Sequence, residues 1–94
     1  MSMNTEVEKL ETLAMAYKAL AHPHRIQIIK MLLDQPLYVA EIARRLGINR
    51  TVVSQHLITL KDAGILDRKR SFKRNYYYIK VPKEKLKACL ELTD

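Results

Sequence analysis

Residues 39–64 read VAEIARRLGINRTVVSQHLITLKDAG, a stretch with the signals of two helices joined by a tight turn. Gly47 is placed to end the first helix, because glycine readily adopts the left-handed conformation that often follows a helix. Asn49 is placed to cap the second helix, which runs to about Ala63 and which Gly64 can end. Two helices with a short glycine-containing turn predict a helix-turn-helix over these residues.

The second helix of this stretch sorts its side chains into two faces, at about 100° per residue. Val53, Leu57 and Leu60 fall on one side, which we predict to be core. The opposite face is polar and uncharged, whereas an ordinary surface helix more often carries Lys and Glu. Small hydroxyls and an amide there suit contacts to base edges and phosphates in a major groove. The outward residues are Thr51, Ser54, Gln55 and Ile58.

Residues 65–81 follow as two predicted strands. The second, from Asn75 to Val81, is rich in tyrosine and β-branched residues, which strands prefer. The connection over 71–74 has no glycine, and the hairpin carries six basic side chains against the single acidic Asp67. A basic hairpin behind a recognition helix is typical of a wing that neutralises phosphates or enters a minor groove. Charge that protects an edge strand is the alternative for one or two of these residues.

Further helices are predicted on both sides of this region. The first is expected to begin at Thr5, where Thr5 and Glu8 form a capping box. Its apolar residues recur at three- and four-residue steps, a stripe that is either core or half of a dimer interface. Pro23 suits the first position of a second helix, and a short extended piece is expected over Pro36–Tyr38. A last helix is predicted over Pro82–Leu92 and is, with the first, a candidate for pairing two copies.

The composition fits one small globular domain over residues 1–94, with 48% hydrophobic residues and a net charge of +7. Residues 41–94 hold the whole basic surplus, thirteen basic against six acidic, which indicates either a surface for a polyanion or a solvated face. The single cysteine fits a reducing compartment. No apolar run approaches the ~20 residues of a membrane span and no signal peptide is evident, so we expect a cytoplasmic protein without membrane contact. A phosphate loop, a catalytic triad and a carboxylate constellation are all missing, so we do not expect an enzyme.

The histidines and the cysteine receive structural interpretations. His22 and His24 flank Pro23, a spacing that suggests metal ligands, but a site needs three or four ligands and no third one lies near in sequence. We therefore predict no metal site and assign His22 as a helix cap. His56 is expected to be partly buried and hydrogen-bonded, with a phosphate contact as the alternative. Cys89 is expected to pack as a small apolar residue, with a Cys89–Cys89 bridge across a dimer as the alternative.

The chain resembles the ArsR/SmtB family of winged-helix repressors from about residue 13 to residue 90. The pieces that carry this resemblance are Ala21-His22-Pro23 with Arg25, Ser54-Gln55-His56-Leu57 through Ala63-Gly64, and the tyrosine-rich second wing strand. The resemblance implies a mainly α fold with a small β-hairpin wing, in the order α1-α2-α3-α4-β-β-α5. It also implies a homodimer paired through its first and last helices. The expected interface residues are Leu10, Leu13, Tyr17, Leu86, Cys89 and Leu90.

The same resemblance implies a dimeric repressor that binds an inverted repeat in double-stranded DNA, with no cofactor and with an unidentified inducer. It places the recognition-helix contacts at Asn49, Arg50, Thr51, Ser54, Gln55, His56 and Thr59. It places the wing contacts at Arg68, Lys69, Arg70, Lys73 and Arg74.

Two departures from the family pattern bear on sensing. Metal sensors of the family often carry a Cys-x-Cys pair where this chain has Tyr38 and Ala40, and the last helix lacks the histidine of another family site. Metal sensing through those sites is therefore not expected. A module for protein interaction or for nucleic-acid binding without sequence preference, and a redox-responsive regulator that uses Cys89, remain the alternatives.

Overall fold

The computed structural model describes the backbone of residues 2–91 and the side chains from Thr5 to Glu91. Five helices and three short strands follow one another along these residues. Their order is α1 (Ser2–Leu20), α2 (Pro23–Asp34), β1 (Leu37–Tyr38), α3 (Val39–Leu46), α4 (Arg50–Asp62), β2 (Leu66–Ser71), β3 (Arg74–Ile79) and α5 (Lys83–Leu90).

The turn between α3 and α4 forms as its residues predict. Gly47 adopts a left-handed φ of 68°, and its N–H donates to the Ala43 carbonyl at 2.9 Å. The Asn49 side chain then caps α4, because its Oδ1 accepts the Thr51 N–H at 2.7 Å. Both ends of the turn thus satisfy backbone groups that a helix leaves unpaired. Pro23 opens α2, where its missing N–H removes no hydrogen bond.

One predicted helix boundary was wrong, and another lies outside the described residues. The first helix begins at Ser2 rather than at Thr5, so Thr5 lies inside α1 and the predicted capping box does not mark the start. Residues 2–4 include no glycine or proline, so the helix extends over them. Leu92, the predicted end of the last helix, lies outside the described residues.

The strands form one antiparallel sheet in the order β1-β3-β2. The short β1 joins the wing, since Leu37 lies opposite Tyr77. At the far end Ser71 pairs with Arg74, so the hairpin connection has two residues, at 72 and 73, instead of the predicted four. This shorter turn extends both wing strands toward the tip.

The core lies between α2, α4 and the inner face of the sheet. Its fully buried side chains are Ile28, Ile29, Leu32, Ile42, Val53, Leu57, Leu60 and Leu66. Leu86 of α5 also belongs to this core, with 5% of its surface exposed. This burial within its own protomer is at odds with its predicted place in the dimer interface.

The first helix extends beyond this core. Its exposed apolar side chains include Val7, Leu10, Leu13 and Tyr17, and Leu10 is 65% exposed. The Cα radius of gyration is 14.2 Å, against about 12 Å for a compact domain of this length. The exposed residues of this stripe are therefore not core of the single protomer, whereas Leu20 at its end is buried in the core.

Candidate nucleic-acid interface

The outward face of α4 is open to solvent. Thr51, Gln55 and Ile58 are exposed and Ser54 is half-buried, whereas Val53 on the opposite side is fully buried. Helical periodicity therefore sorted the two faces of α4 correctly. The face offers hydroxyl and amide groups, which can donate to and accept from base edges.

A groove separates the first turn of α4 from the tip of the wing. Its lining is formed by Tyr38, Val39, Ala40, Arg50, Ser54, Lys73, Arg74 and Asn75. Three of these side chains are cationic, and none of them is acidic. The groove therefore joins the uncharged face of α4 to a source of positive charge that suits a phosphate backbone.

Tyr38 holds one of the groove cations in place. The guanidinium carbon of Arg74 lies 4.1 Å from the centre of the Tyr38 ring, a cation–π contact. Tyr76 packs against Tyr38 edge to face, with ring centroids 5.8 Å apart. Sequence reasoning noted Tyr38 only as the residue that replaces a family cysteine. Its contact with Arg74 joins β1 to β3 and could not be predicted from spacing along the chain.

The basic residues of the wing divide between its two faces, because successive strand residues point in opposite directions. Arg68 and Arg70 share the face of the buried Tyr77, and Arg70 lies opposite the groove residue Asn75. Lys69 lies on the other face, which it shares with Arg74, and its Nζ lies 5.8 Å from the centre of a neighbouring tyrosine ring, in a pocket that α5 also borders. The wing is therefore not a single basic surface.

Two predicted contact residues of α4 point away from the groove. His56 is 9% exposed, and its Nδ1 accepts a hydrogen bond from Arg25 Nε at 3.1 Å. Thr59 donates its hydroxyl to the Gln55 carbonyl at 3.0 Å and lies beside Arg25 and α1. The partly buried, hydrogen-bonded role expected for His56 is confirmed, and its burial is at odds with the predicted phosphate contact.

The two arginines of α3, the helix before the turn, are paired with a glutamate of the same helix. Arg44 forms a two-point hydrogen bond to Glu41 at 2.8 and 3.0 Å, and Arg45 lies 3.5 Å from the same carboxylate. The side-chain hydrogen bonds from Arg44 hold the pKa of Glu41 below its ordinary value. These two arginines therefore add less net charge beside the groove than their number suggests.

A cluster of histidines lies behind α4, on its buried side. His22 caps α2, with Nδ1 accepting the His24 N–H at 3.1 Å, as predicted. The fold also brings the His22 and His56 rings to 4.5 Å between centroids. Burial, and then the charges of His22, Arg25 and His24, lower the pKa of His56. Sequence reasoning missed this cluster because His56 is more than thirty residues away along the chain.

Comparison with known proteins identifies the family. Residues 22–68 match the profile described as "Bacterial regulatory protein, arsR family". The transcriptional activator HlyU of Vibrio cholerae is 34% identical over 88 residues, which cover 93% of this chain and 80% of that relative. The chain belongs to the ArsR family. Members of the ArsR family are transcription regulators and not enzymes.

Solved structures similar to this ArsR-family chain have the same architecture. The solution structure of a homodimeric winged helix-turn-helix DNA-binding domain from Mycobacterium bovis, a possible ArsR-family regulator, matches with a TM-score of 0.82. It is 32% identical and covers 94% of this chain and 80% of that one. The transcriptional repressor PagR of Bacillus anthracis matches with a TM-score of 0.78 at 31% identity, over 94% of this chain and 99% of that one.

The predicted fold and family are therefore confirmed: the chain is a DNA-binding transcription regulator with a winged helix-turn-helix fold. Among the residues that the structure describes, no helix combines the length and the apolar character that crossing a bilayer requires.

Proposed function

We propose that this ArsR-family regulator is a dimeric repressor of an inverted-repeat operator. Its α4 recognises the base pairs, and its wing contacts the DNA phosphate backbone. The observation that carries the proposal is the groove, where Arg50, Lys73 and Arg74 lie beside the exposed, uncharged start of α4. Thr51 and Gln55 are the proposed base-reading residues. Ser54 lies on the outward face of α4 and also lines the groove. We therefore propose that it contacts DNA where these two surfaces meet.

The cationic contacts are proposed to be unequal. Arg50, Lys73 and Arg74 line the groove, and Arg70 lies opposite one of its residues, so these four are the proposed phosphate contacts. Arg68 shares a strand face with Arg70 and extends that set. Lys69 points to the α5 side of the wing, and Asn49 has its side-chain oxygen committed to the α4 cap, so both are secondary. His56 and Thr59 are left out of the proposed surface because they point away from the groove.

Dimerisation is proposed through the exposed apolar face of α1, with Leu10, Leu13 and Tyr17 at its centre. A second copy is the proposed occupant because the similar domain from Mycobacterium bovis is homodimeric and matches over 94% of this chain. Cys89 and Leu90 of α5 are half-buried and can extend this face. Two copies then place their α4 helices in successive major grooves, about 34 Å apart.

Repression is the proposed outcome because it needs only occupancy of the promoter by the dimer. The similarity to the repressor PagR, which extends over nearly its whole length, supports this direction. HlyU, by contrast, is called an activator. A promoter-fusion assay with and without the regulator distinguishes repression from activation. Higher expression with the regulator present contradicts repression.

The test of DNA reading is selection of bound duplexes from a random pool, followed by affinity measurements on the selected site. We expect an enriched inverted repeat. Gln55→Ala should relax the preference at one base pair in each half-site, with a loss of about 1–3 kcal/mol of discrimination. Arg70→Ala should weaken all duplexes alike and reduce the salt slope by about two per dimer, since each phosphate contact contributes about 0.9.

Lys85→Ala is the matched control, because Lys85 is an exposed cation on α5, outside the groove and the wing. It should leave the affinity nearly unchanged. Equal losses on selected and random duplexes for Gln55→Ala contradict the base-reading assignment. The absence of any enriched repeat would favour a protein-interaction module or binding without sequence preference. Selection repeated with and without reductant tests the alternative that Cys89 makes the regulator redox-responsive.

A further inference from the structure

Three imidazole rings from two separate parts of the chain converge behind the recognition helix. His22 and His24 come from the start of α2, and His56 comes from the middle of α4. Their centroids are 4.5 Å apart for His22 and His56, 5.5 Å for His22 and His24, and 5.8 Å for His24 and His56. One nitrogen of each ring can be chosen so that all three nitrogens lie within 4.8 Å of one another.

We propose that His22, His24 and His56 form a binding site for one divalent d-block ion of the zinc type. Three neutral imidazoles are a donor set that zinc accepts, with a fourth position left for water. The site lies between α2 and α4. It is therefore distinct from the positions of Tyr38 and Ala40, where the ArsR resemblance would place metal-binding cysteines, and from α5.

The distances allow coordination after small movements of the side chains. Zinc–nitrogen bonds of about 2.0–2.1 Å in a tetrahedral site put two ligand nitrogens about 3.3 Å apart. The widest pair, at 4.8 Å, must therefore close by about 1.5 Å. His24 can supply most of this movement, because its ring is half-buried and the described residues show no hydrogen bond to its side chain.

The hydrogen bonds of the metal-free state define what the ion must replace. The Nδ1 atoms of His22 and His56 accept from the His24 N–H and from Arg25 Nε, so each neutral ring carries its proton on Nε2. An ion at Nδ1 displaces the donor, and an ion at Nε2 requires the proton to move to Nδ1, which also breaks the bond. The hydrogen-bonded state and the metal-bound state therefore exclude each other.

The local charge sets the strength of the site. Arg25 is the nearest cation, and no carboxylate belongs to the cluster within the described residues. Each lost hydrogen bond lowers the affinity by about fivefold or more. We therefore expect a site of moderate affinity in which metal binding releases Arg25 from His56, while the second Arg25 hydrogen bond, to the Ala19 carbonyl at 3.2 Å, remains available to hold it.

The experiment uses the full, tag-free chain after chelation, titrated with zinc by calorimetry and with cobalt by visible absorption. We expect one ion per protomer, the visible bands of tetrahedral cobalt, and a rise in Tm of about 4 °C or more with zinc. His24→Ala should lower the zinc affinity at least tenfold, since it removes one ligand and leaves both Nδ1 hydrogen bonds in place. His24→Cys should restore binding and add a sulfur-to-cobalt charge-transfer band in the near ultraviolet.

Cys89→Ser is the matched control, because Cys89 is the one thiol in the sequence, and this variant should bind metal as the parent does. The absence of saturable uptake by the parent chain overturns the proposal. So does an unchanged affinity in His24→Ala or the lack of a sulfur band in His24→Cys, with circular dichroism showing that the variants fold. DNA binding measured in chelator tests the proposed function separately, so the two can fail independently.

Discussion

Replacing Phe72 with glycine is expected to stabilise the fold. Phe72 is the first of the two turn residues of the wing and has a φ of 58°, the one positive value among non-glycine residues in the described chain. Hairpin turns often place glycine at such a position, because a side chain there crowds the backbone. The Phe72 ring is 95% exposed, so its removal takes away almost no packing.

The expected change in the free energy of unfolding follows from two opposing effects. Left-handed backbone costs an ordinary residue about 1–2 kcal/mol, which glycine avoids. Glycine in turn loses more freedom on folding, about 0.5–1 kcal/mol. The net gain is about 0.5–1 kcal/mol, which for a chain of this length raises Tm by about 2–8 °C. Lys73 has no positive φ, so Lys73→Gly relieves no strain and only adds the entropy cost of glycine. Its Tm should therefore fall by about as much as that of Phe72→Gly rises.

Thermal melts followed by circular dichroism, at equal protomer concentration because the protein is proposed to dimerise, measure these shifts. Phe72→Ala is the control that removes the ring and keeps the strained φ, and its Tm should stay near that of the parent. A fall in Tm for Phe72→Gly as large as that for Lys73→Gly refutes the reasoning, since the ring would then stabilise the wing by more than the strain costs.

Three further predictions concern the dimer, the groove and pH. Leu13→Asp should give monomers in analytical ultracentrifugation and weaken operator binding, and a dimer of unchanged stability contradicts the α1 interface. Tyr38→Leu should weaken operator binding by about two- to fivefold with an unchanged salt slope, because it removes the cation–π contact to Arg74 and no charge; Tyr38→Phe should not. In chelator, the free energy of unfolding should decline below about pH 6.5, because the pKa of His56 is lowered in the folded state and the unfolded chain then binds more protons. Melts that show a constant Tm on acidification contradict this assignment.

Local signals predicted most of the fold. The left-handed glycine at position 47 and the Asn49 cap are decided within a few residues, and the structure has both. Periodicity likewise separated Val53 from Gln55. The start of α1 was missed because a capping box is compatible with a helix that continues past it, and only the surroundings decide between the two.

Tertiary contacts account for what the sequence could not predict. Leu86 and Leu90 are both apolar residues of α5, yet only the folded chain shows that Leu86 is buried in the core while Leu90 is partly buried at its edge. Arg68, Lys69 and Arg70 are consecutive in sequence, and the strand register separates Lys69 from the two arginines. His56 meets His22 through the packing of α4 on α2, an interaction with no signature at short range.

The position of His56 in α4 links the proposed metal site to the proposed DNA surface. His56 and Gln55 are consecutive, one pointing to the histidine cluster and the other to solvent. His24 and α4 share the closure of about 1.5 Å. With side chains at about 5–6 Å from the helix axis, the share taken up by α4 turns the helix by at most about 15°. Such a turn moves Gln55 by a similar distance, which is enough to misalign a hydrogen bond to a base edge. Metal binding is therefore expected to weaken operator affinity in the parent chain. In His24→Ala the affinity should be independent of zinc, and zinc-dependent weakening that persists in this variant would separate the effect from the histidine cluster.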